Sequence, residues 1–426
     1  MGAAGEVAAA VDGSLWRVPA VQRLVGVTLL GFVGFAATLA ALPWWAVRGG
    51  ATVSQAGLVT TAMLTATVLT QAAVPALVRR VGSGRSLAAG LLALGAPSPL
   101  LLLSSDLLPL LAVSAVRGTG FAVLTVVGST LTFTLAPPGR HGETAGLYGL
   151  AIGLTGVAVV PGSVAVAQNV GFWPVALLAS LPVLAVPAAL RMARDEAGRT
   201  PAPGETDPDA HPGPPAPRHR RAVHAVLVPS LVLLVVTLAG SGVVTFLPIE
   251  RPDGLVAPGA LLLFGATGAV ARWRAGRLAD RLGTRVLLPV AVVVTAAGVT
   301  GVAAGLLRGS DVGLLVAAAA GGAGYGAVQN LTLVRAFARV DPVDTPTASA
   351  VWNLCFDGGT AIGAVAVGAL AAALATTSLV AGAPGGAQAA ADGAGSGIAW
   401  ALLACGALVL VVVPTTLAEP VRAVVR

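Results

Sequence analysis

Lysine is absent from this sequence, and charged residues of every kind make up only 10% of it. Hydrophobic residues make up 56%, and the mean hydropathy is +0.88. Values of this kind lie far outside the range of soluble domains. The composition therefore excludes a soluble protein and predicts a chain that crosses the membrane several times.

Cysteine and histidine are also scarce, with two and four residues. Cys355 and Cys405 both fall inside apolar runs, so we expect neither a disulfide nor a metal site. The histidines fall in predicted cytoplasmic loops or at a helix end, which argues against a histidine proton relay. The sequence also lacks paired catalytic carboxylates and a phosphate-binding loop, so it predicts no enzyme, no cofactor and no use of ATP.

The net charge of +7 and the pI near 11 would suggest nucleic-acid binding in a soluble protein. Here the arginines can instead be assigned to loops on one side of the membrane. Arg79, Arg80, the arginines of the central linker and the run from Arg272 to Arg285 fall in loops that follow even-numbered helices. We expect these loops and both termini to be cytoplasmic, in a bacterial inner membrane, with no nucleic-acid partner.

Apolar runs of about 20 residues, long enough to cross a bilayer, occur twelve times. Six precede a proline-rich polar segment and six follow it. Because this segment cannot bury enough apolar surface to fold, it predicts a flexible linker. We therefore expect an all-α fold of two pseudosymmetric six-helix bundles, residues 1–190 and 223–426, joined by a cytoplasmic linker at 191–222.

A polar hairpin lies between the predicted helices at residues 255–275 and 286–307. Its glycines allow a tight turn, and its arginines place positive charge beside lipid headgroups. Its one acid, Asp280, could pair with these arginines or accept hydrogen bonds from the N-terminus of a neighbouring helix. The residues of this predicted gate are Gly276, Arg277, Asp280, Arg281, Gly283 and Arg285.

A degraded copy of the hairpin occurs half a chain length earlier and contains Arg80 and Gly82. Recurrence at this spacing predicts two related halves. In this copy Arg79 stands where the second copy has its acid. We include Arg80 and Gly82 in the predicted cytoplasmic gate.

Six plus six helices, a polar central loop and the Gly-x-Leu-Ala-Asp-Arg-x-Gly-x-Arg hairpin together resemble the major facilitator superfamily. The resemblance covers essentially the whole chain. It implies that Asp280 latches the cytoplasmic side through the start of a helix in the other half, near Gly142 to Ala145. Because the first copy has Arg79 at this position, the role is carried over to Asp280 only.

Three further segments look like those of drug-exporting members of that family. Arg117-Gly118-Thr119-Gly120 matches the arginine and glycines of the fourth-helix motif. The fifth helix has spaced glycines before Pro161-Gly162 and resembles, imperfectly, the antiporter motif. Helices 10 and 11, around Gln329 and Asp357, are similar to bacterial exporters of drugs and small molecules. The resemblance implies export in exchange for protons.

Asp357 is the only carboxylate that the sequence places well inside the hydrocarbon. Such acids most often mark a site that is protonated, paired or conducting ions. We expect Asp357 to couple transport to protons, with a buried structural hydrogen bond as the alternative. Arg117 is predicted at a similar depth and could pair with Asp357 in this coupling, or clamp backbone carbonyls. These roles compete, because a tightly paired Asp357 would be too acidic to carry protons.

Polar and aromatic residues at membrane depth are either contacts between helices or ligands of the substrate. Those predicted to line the substrate cavity are Phe32, Phe35, Tyr148, Tyr325, Gln329, Asn330 and Asn353. Small residues of the fifth helix predict a packing surface and a hinge, formed by Gly149, Gly153, Gly156, Pro161 and Gly162.

These features predict a secondary transporter that works by alternating access, with its substrate near mid-membrane between the two halves. Sparse intramembrane charge implies a largely apolar cavity, suited to amphiphilic or cationic molecules rather than phosphates or dicarboxylates. The expected partners are a small-molecule substrate, protons and the lipid bilayer, and the chain is expected to be a monomer. The alternatives are a proton-coupled or facilitative importer of a small nutrient and a non-transporting membrane sensor.

Overall fold

The computed structural model describes residues 18–135, 141–197, 217–252, 254–340, 345–380 and 388–417. The backbone within these ranges is helical and contains no strand. Twelve of the described helices are long and apolar enough to cross a membrane. The predicted all-α fold with twelve membrane-crossing helices is therefore confirmed.

The twelve helices, α1 to α12, follow the order of the predicted segments, and several consist of more than one piece. Their bounds are α1, Pro19–Leu39 and Ala41–Arg48; α2, Val53–Gln71 and Val74–Val81; α3, Ser83–Gly95 with a 3-10 turn at Ser98–Leu102; α4, Leu107–Thr134; α5, His141–Asn169; α6, Trp173–Ser180, a 3-10 turn at Leu181–Ala185, and Val186–Ala197; α7, Pro217–Glu250; α8, Val256–Leu282; α9, Thr284–Arg308; α10, Asp311–Phe337; α11, Thr345–Val380; and α12, Gln388–Val411 with Val413–Leu417.

Prolines lie at the breaks in three of these helices. Pro75 follows the break in α2, Pro97 precedes the 3-10 turn of α3, and Pro182 lies in the 3-10 turn of α6. A proline has no amide hydrogen to donate and its ring clashes with the preceding turn, so the regular helix stops there. Hydropathy alone predicts one continuous run at each of these places, because all three prolines stand in apolar surroundings.

The ends of the predicted linker at 191–222 are helical, which corrects its length. Helix α6 continues to Ala197 and α7 already begins at Pro217. The residues between them, 198–216, lie outside the described part of the chain.

The chain forms two compact units, here called unit 1 and unit 2. Unit 1 comprises Met1–Leu42 and Ala62–Thr206, and unit 2 comprises Pro43–Thr61 and Asp207–Arg426. The short piece Pro43–Thr61 belongs to unit 2 because the first half of α2 packs on α11: the Thr61 hydroxyl donates to the Ala361 carbonyl at 2.7 Å. The predicted domain boundaries, which divide the chain only at the linker, stay a prediction.

The two units repeat one pattern of helix contacts. In unit 1, a Cβ added to Gly118 of α4 would lie 2.1 Å from the carbonyl oxygen of Met63 on α2. In unit 2, a Cβ added to Gly322 of α10 would lie 2.1 Å from the carbonyl oxygen of Phe264 on α8. Only glycine allows two helices to approach so closely, and such contacts replace the hydrophobic effect as the packing force in lipid.

The two hairpins also share their backbone geometry. Gly82 has φ 86° and ψ 161°, and Gly283 has φ 78° and ψ 147°. Each glycine ends one helix and begins the next, and its amide donates to a carbonyl of the preceding turn, that of Val78 or Ala279. A positive φ favours glycine strongly. The repeat seen in the sequence is thus a repeat of the fold.

Candidate functional site

Close contact between α8 and α10 brings polar side chains of unit 2 together. A Cβ added to Gly326 would lie 2.0 Å from the carbonyl oxygen of Gly268. The Thr267 hydroxyl donates to the Ala319 carbonyl at 2.7 Å across the same interface. Because the two backbones nearly touch here, side chains one turn further along both helices meet directly.

Arg272 of α8 is the first of these side chains. Its Nη1 donates to Oε1 of Gln329 on α10 at 3.0 Å, and Gln329 is only 7% exposed. The hydrogen bond is partly buried, but the Arg272 side chain remains accessible on its other side. A side chain of α10 therefore holds the guanidinium of Arg272.

The assignment of Arg272 to a cytoplasmic loop is wrong. Helix α8 continues to Leu282, which places Arg272 about 15 Å inside the end of the helix at about 1.5 Å per residue. The candidate membrane span of α8 ends at Ala275 and so includes Arg272. The predicted helix at residues 255–275 already contained Arg272. These bounds could therefore have shown from the sequence that Arg272 lies in a helix and not in a loop.

Tyr325 is the second side chain beside Gln329. The Tyr325 hydroxyl interacts with the Gln329 side chain and lies in the electrostatic field of both Arg272 and Asp357. Its ring packs against Phe264, with centroids 5.2 Å apart. We call Arg272, Tyr325, Gln329 and Asp357 the polar cluster; it lies within unit 2 and links α8, α10 and α11.

Asp357 is half-buried in α11. It lies twelve residues after the first residue of α11, Thr345, or about 18 Å along the helix. Residues two apart on a helix lie on nearly opposite faces, and Gly359 packs on α7, where an added Cβ would lie 2.1 Å from the Thr237 hydroxyl oxygen. The face that carries Asp357 therefore points away from α7.

Aromatic rings flank Asp357 on its own helix. Trp352 and Phe356 stack with centroids 5.8 Å apart and ring planes at 17°. The Trp352 indole donates to the Thr332 hydroxyl of α10 at 3.1 Å, which fixes its ring. Neither Arg272 nor Phe356 is among the site residues predicted from the sequence.

Arg117 lies in unit 1 and has different surroundings. It is fully buried, and its guanidinium donates to the Ser98 hydroxyl at 3.0 Å, the Gly34 carbonyl at 2.7 Å and the Thr38 hydroxyl at 3.1 Å. Its Nε has no hydrogen-bond partner among the described residues. This arrangement matches the alternative in which Arg117 clamps α1 and α3. Its role in proton coupling and its pairing with Asp357 stay predictions.

The predicted cavity residues of unit 1 pack among themselves. Phe32 is 8% exposed, and Phe35 stacks on Phe121 with centroids 4.0 Å apart. Tyr148 packs against α4, where a Cβ added to Gly128 would lie 3.0 Å from its hydroxyl. Phe121 is not among the residues that the sequence predicts at the cavity. Contact with a substrate stays a prediction for Phe32, Phe35 and Tyr148.

Two predicted cavity residues of unit 2 lie outside the polar cluster. Asn330 has a buried Oδ1 without a hydrogen-bond partner in the described chain. Asn353 is exposed, and its amide donates to the Ser349 carbonyl at 2.9 Å. A substrate could supply the donor that Asn330 lacks, while Asn353 bonds its own helix.

The glycine stripe of α5 does not make the close contacts predicted for a packing surface. The residues are exposed, and an added Cβ would find no described atom within 4 Å at any of four positions: Gly149, Gly153, Gly156 and Gly162. Pro161 lies inside α5, which continues through it. The hinge role of Pro161 stays a prediction.

The predicted cytoplasmic gate is described only in part. Arg80, Arg281 and Arg285 are exposed beside the two hairpin glycines. The surroundings of Gly276, Arg277 and Asp280 lie outside the described part of the chain, as do those of every residue but Thr144 in the partner region from Gly142 to Ala145. The latch formed by Asp280 stays a prediction.

Comparison with known proteins supports the architecture. The sequence profile of the family described as Major Facilitator Superfamily matches residues 24–364. The structure is similar to that of a bacterial homolog to the human lysosomal transporter Spinster, in its inward-facing and unoccupied conformation, with a TM-score of 0.73 and 14% identity over 95% of this chain and 97% of that chain. It is also similar to the nucleoside transporter NupG, with a TM-score of 0.68 and 12% identity over 94% of this chain and 98% of that chain. No curated protein matches the sequence significantly.

Proposed function

The chain belongs to the Major Facilitator Superfamily and is a membrane transporter that works by alternating access, and from this we propose that it exports a small amphiphilic molecule in exchange for protons. We assign the proton to Asp357 and the substrate to the polar cluster around it. One observation carries the proposal. Asp357 lies half-buried inside a membrane-crossing helix, on the face that points away from α7.

Asp357 is suited to binding and releasing a proton because it lies inside a membrane span and is partly exposed. A carboxylate within a membrane span is costly when charged, and this cost favours the binding of a proton. Being half-buried, it can still exchange that proton with water. A substrate that meets the carboxylate in its charged form competes with the proton, and this competition is the basis of exchange.

The surroundings of the cluster favour an amphiphile. Phe356, which precedes Asp357 in α11, and the ring of Tyr325 are partly buried and supply apolar surface, and Trp352 stacks on Phe356. A site with an apolar wall and a few polar groups orients a molecule that has one polar end and one apolar end. Export, rather than import, follows the resemblance of helices 4, 10 and 11 to drug and small-molecule exporters.

We place the protein in a bacterial inner membrane with both termini in the cytoplasm, acting as a monomer. Most loop arginines then face the cytoplasm, as positively charged loops do in membrane proteins. The exposed arginines of both hairpins, Arg80, Arg281 and Arg285, would lie beside anionic headgroups.

Proteoliposomes test the role of Asp357. Asp357→Asn should abolish substrate movement driven by a proton gradient but preserve exchange of labelled for unlabelled substrate, because exchange needs no proton release. The matched control is Asp106→Asn, which removes an exposed acid at the start of α4. Undiminished gradient-driven transport by Asp357→Asn would remove this residue from the mechanism. The direction of the gradient that drives accumulation distinguishes an exporter from an importer.

A further inference from the structure

Helices α1 and α6 of unit 1 touch at one point and separate nearer to the start of α1. A Cβ added to Gly34 of α1 would lie 2.3 Å from the ring of Pro182 on α6. About two turns earlier, a Cβ added to Gly26 would meet no described atom within 4 Å. Pro182 lies in the 3-10 turn Leu181–Ala185, where the regular helix α6 is interrupted. The two helices are therefore in contact at this turn and leave a gap beyond it.

The gap is a groove with a volume of about 270 Å³. The residues that line it are Gln22, Arg23, Gly26, Val27, Leu30, Leu184, Ala185 and Ala188. All of them lie within the candidate membrane spans of α1 and α6, and Leu184 is 67% exposed. The groove is smaller than the pockets of about 300–1,000 Å³ that enclose whole drug-sized ligands. It therefore suits one part of a molecule, such as a stretch of hydrocarbon chain.

Charged side chains lie at one end of the groove, here called its mouth, where α1 begins and α6 ends. Arg23 of α1 forms an ion pair with Asp195 of α6. Arg191 follows the lining residue Ala188 by three residues and precedes Asp195 by four, so these three residues share one face of α6. Arg191 is exposed. The mouth therefore combines two arginines with one acid, and the rest of the groove is apolar.

From this arrangement we infer that the groove between α1 and α6 binds an anionic phospholipid, with its phosphate at Arg23 and Arg191 and part of one acyl chain in the groove. From Arg23 to Leu30 the groove follows about two turns of α1, or roughly 10 Å. A phospholipid carries its charge at the membrane surface and its chains below, which is the order of charged and apolar residues here. The lipid is a bound partner and not the transported molecule, so the inference does not depend on the proposed function.

The shape and the charge of the groove favour the lipid in different ways. An empty apolar gap forfeits van der Waals contacts, so at the depth of the lipid chains a chain fills it. The mouth then selects the headgroup. Its net positive charge favours an anionic headgroup by about fivefold, and the planar group of an arginine can bind a phosphate through two hydrogen bonds.

Native mass spectrometry of the full chain, released from detergent micelles with added lipid, tests the inference. The probes are dioleoyl phosphatidylglycerol, which is anionic, and dioleoyl phosphatidylcholine, which is zwitterionic and has the same chains. We expect the first bound phosphatidylglycerol to be held about fivefold more tightly than the first phosphatidylcholine. Equal binding of the two lipids would overturn the inference. Glycerol 3-phosphate, which has the charge without the chains, should not displace the lipid, and displacement would overturn the assignment to a lipid.

A variant that fills the groove tests its position. Because a Cβ at Gly26 meets no described atom within 4 Å, Gly26→Leu should place its side chain in the groove without disturbing α1. We expect it to abolish both the tight phosphatidylglycerol site and the rise in the thermal unfolding midpoint that this lipid produces. The matched control is Gly156→Leu, at an equally open glycine of α5 in the same unit, which should change neither quantity. Loss of both quantities in the control would overturn the inference.

Charge variants test the mouth and serve if Gly26→Leu fails to fold. Arg191→Gln should abolish the preference for phosphatidylglycerol, whereas Asp195→Asn should raise it about fivefold, because it removes the acid. Arg85→Gln removes an exposed arginine at the start of α3, in the same unit, and should leave the preference unchanged. An effect of Arg85→Gln as large as that of Arg191→Gln would overturn the inference, because the charge of unit 1 would then attract lipid without a defined site.

Discussion

Arg117 and Arg272 are arginines inside membrane-crossing helices, one in each unit, and they differ in what surrounds them. Arg117 is fully buried and donates to three neutral oxygen atoms of α1 and α3. Arg272 donates to one oxygen of α10 and remains accessible. Both carry the same permanent charge. An arginine whose donors all face its own fold holds helices together, whereas one with open donors is available to a ligand.

Arg117 and Arg272 have different surroundings although the two units share the same pattern of helix contacts. Matching the contact glycines Gly118 and Gly322 places Gly321 opposite Arg117, and matching the hairpin glycines places Gln71 opposite Arg272. Each unit thus has its charge where the other has an uncharged residue. The common framework fixes where helices touch and leaves the positions beside the contacts free to differ in charge between the two units.

The largest effect is expected from Arg117→Ala. This change leaves the Ser98 hydroxyl and the Gly34 carbonyl without their donor in a buried place, and we expect a loss of about 3 kcal/mol or more in the free energy of unfolding. Thermal inactivation of the full chain in detergent micelles measures it. Arg272→Gln is the matched control and should cost less than about 1 kcal/mol, because only one partly buried hydrogen bond changes. Equal destabilisation by the two variants would contradict the division into a clamp and a ligand site.

A smaller effect is expected where α8 and α10 touch. Gly326→Ala places a methyl group 2.0 Å from the Gly268 carbonyl, so the two helices must move apart. We expect a cost of about 1–3 kcal/mol and weaker substrate binding, because Arg272 and Gln329 separate. Gly153→Ala on α5 meets no described atom within 4 Å and should stabilise the chain by up to about 1 kcal/mol, because alanine is more favourable than glycine inside a helix. If Gly326→Ala preserved both stability and binding, the contact would not position the site.

Sequence patterns predicted the helices well, because hydropathy over one bilayer thickness is a local property. The hairpin glycines were predicted for the same reason, since Gly82 and Gly283 stand in short recurring motifs. The sequence singles out Asp357 because it is an acid inside a long apolar run, and its coupling role stays a prediction. Each of these features can be identified from residues that are neighbours in the sequence.

The partners of the charged residues could not be predicted, because they come from distant parts of the chain. Arg117 reaches the Gly34 carbonyl, and a backbone carbonyl has no signature in sequence. Arg272 was assigned to a loop because a charge near the end of an apolar run usually marks the membrane surface. Only the close approach of α8 and α10 shows that its side chain reaches Gln329 instead.

The smallest effect is expected at the hairpins, where the two units differ by Asp280 and Arg79. If Asp280 latches the cytoplasmic side at a helix N-terminus, Asp280→Asn removes an interaction of about 0.3–1 kcal/mol, and the cytoplasmic side should open roughly two- to fivefold more often. The rate of maleimide labelling of a cysteine placed at Gly149, an exposed position of α5, reports this opening. Cys355 and Cys405 are buried, so the chain without the added cysteine supplies the background. Arg79→Asn changes the matching position of the first hairpin and should leave the labelling rate unchanged, because that hairpin lacks the acid. Equal changes in the two variants would show that the hairpins act through their charge in general and that Asp280 has no separate role.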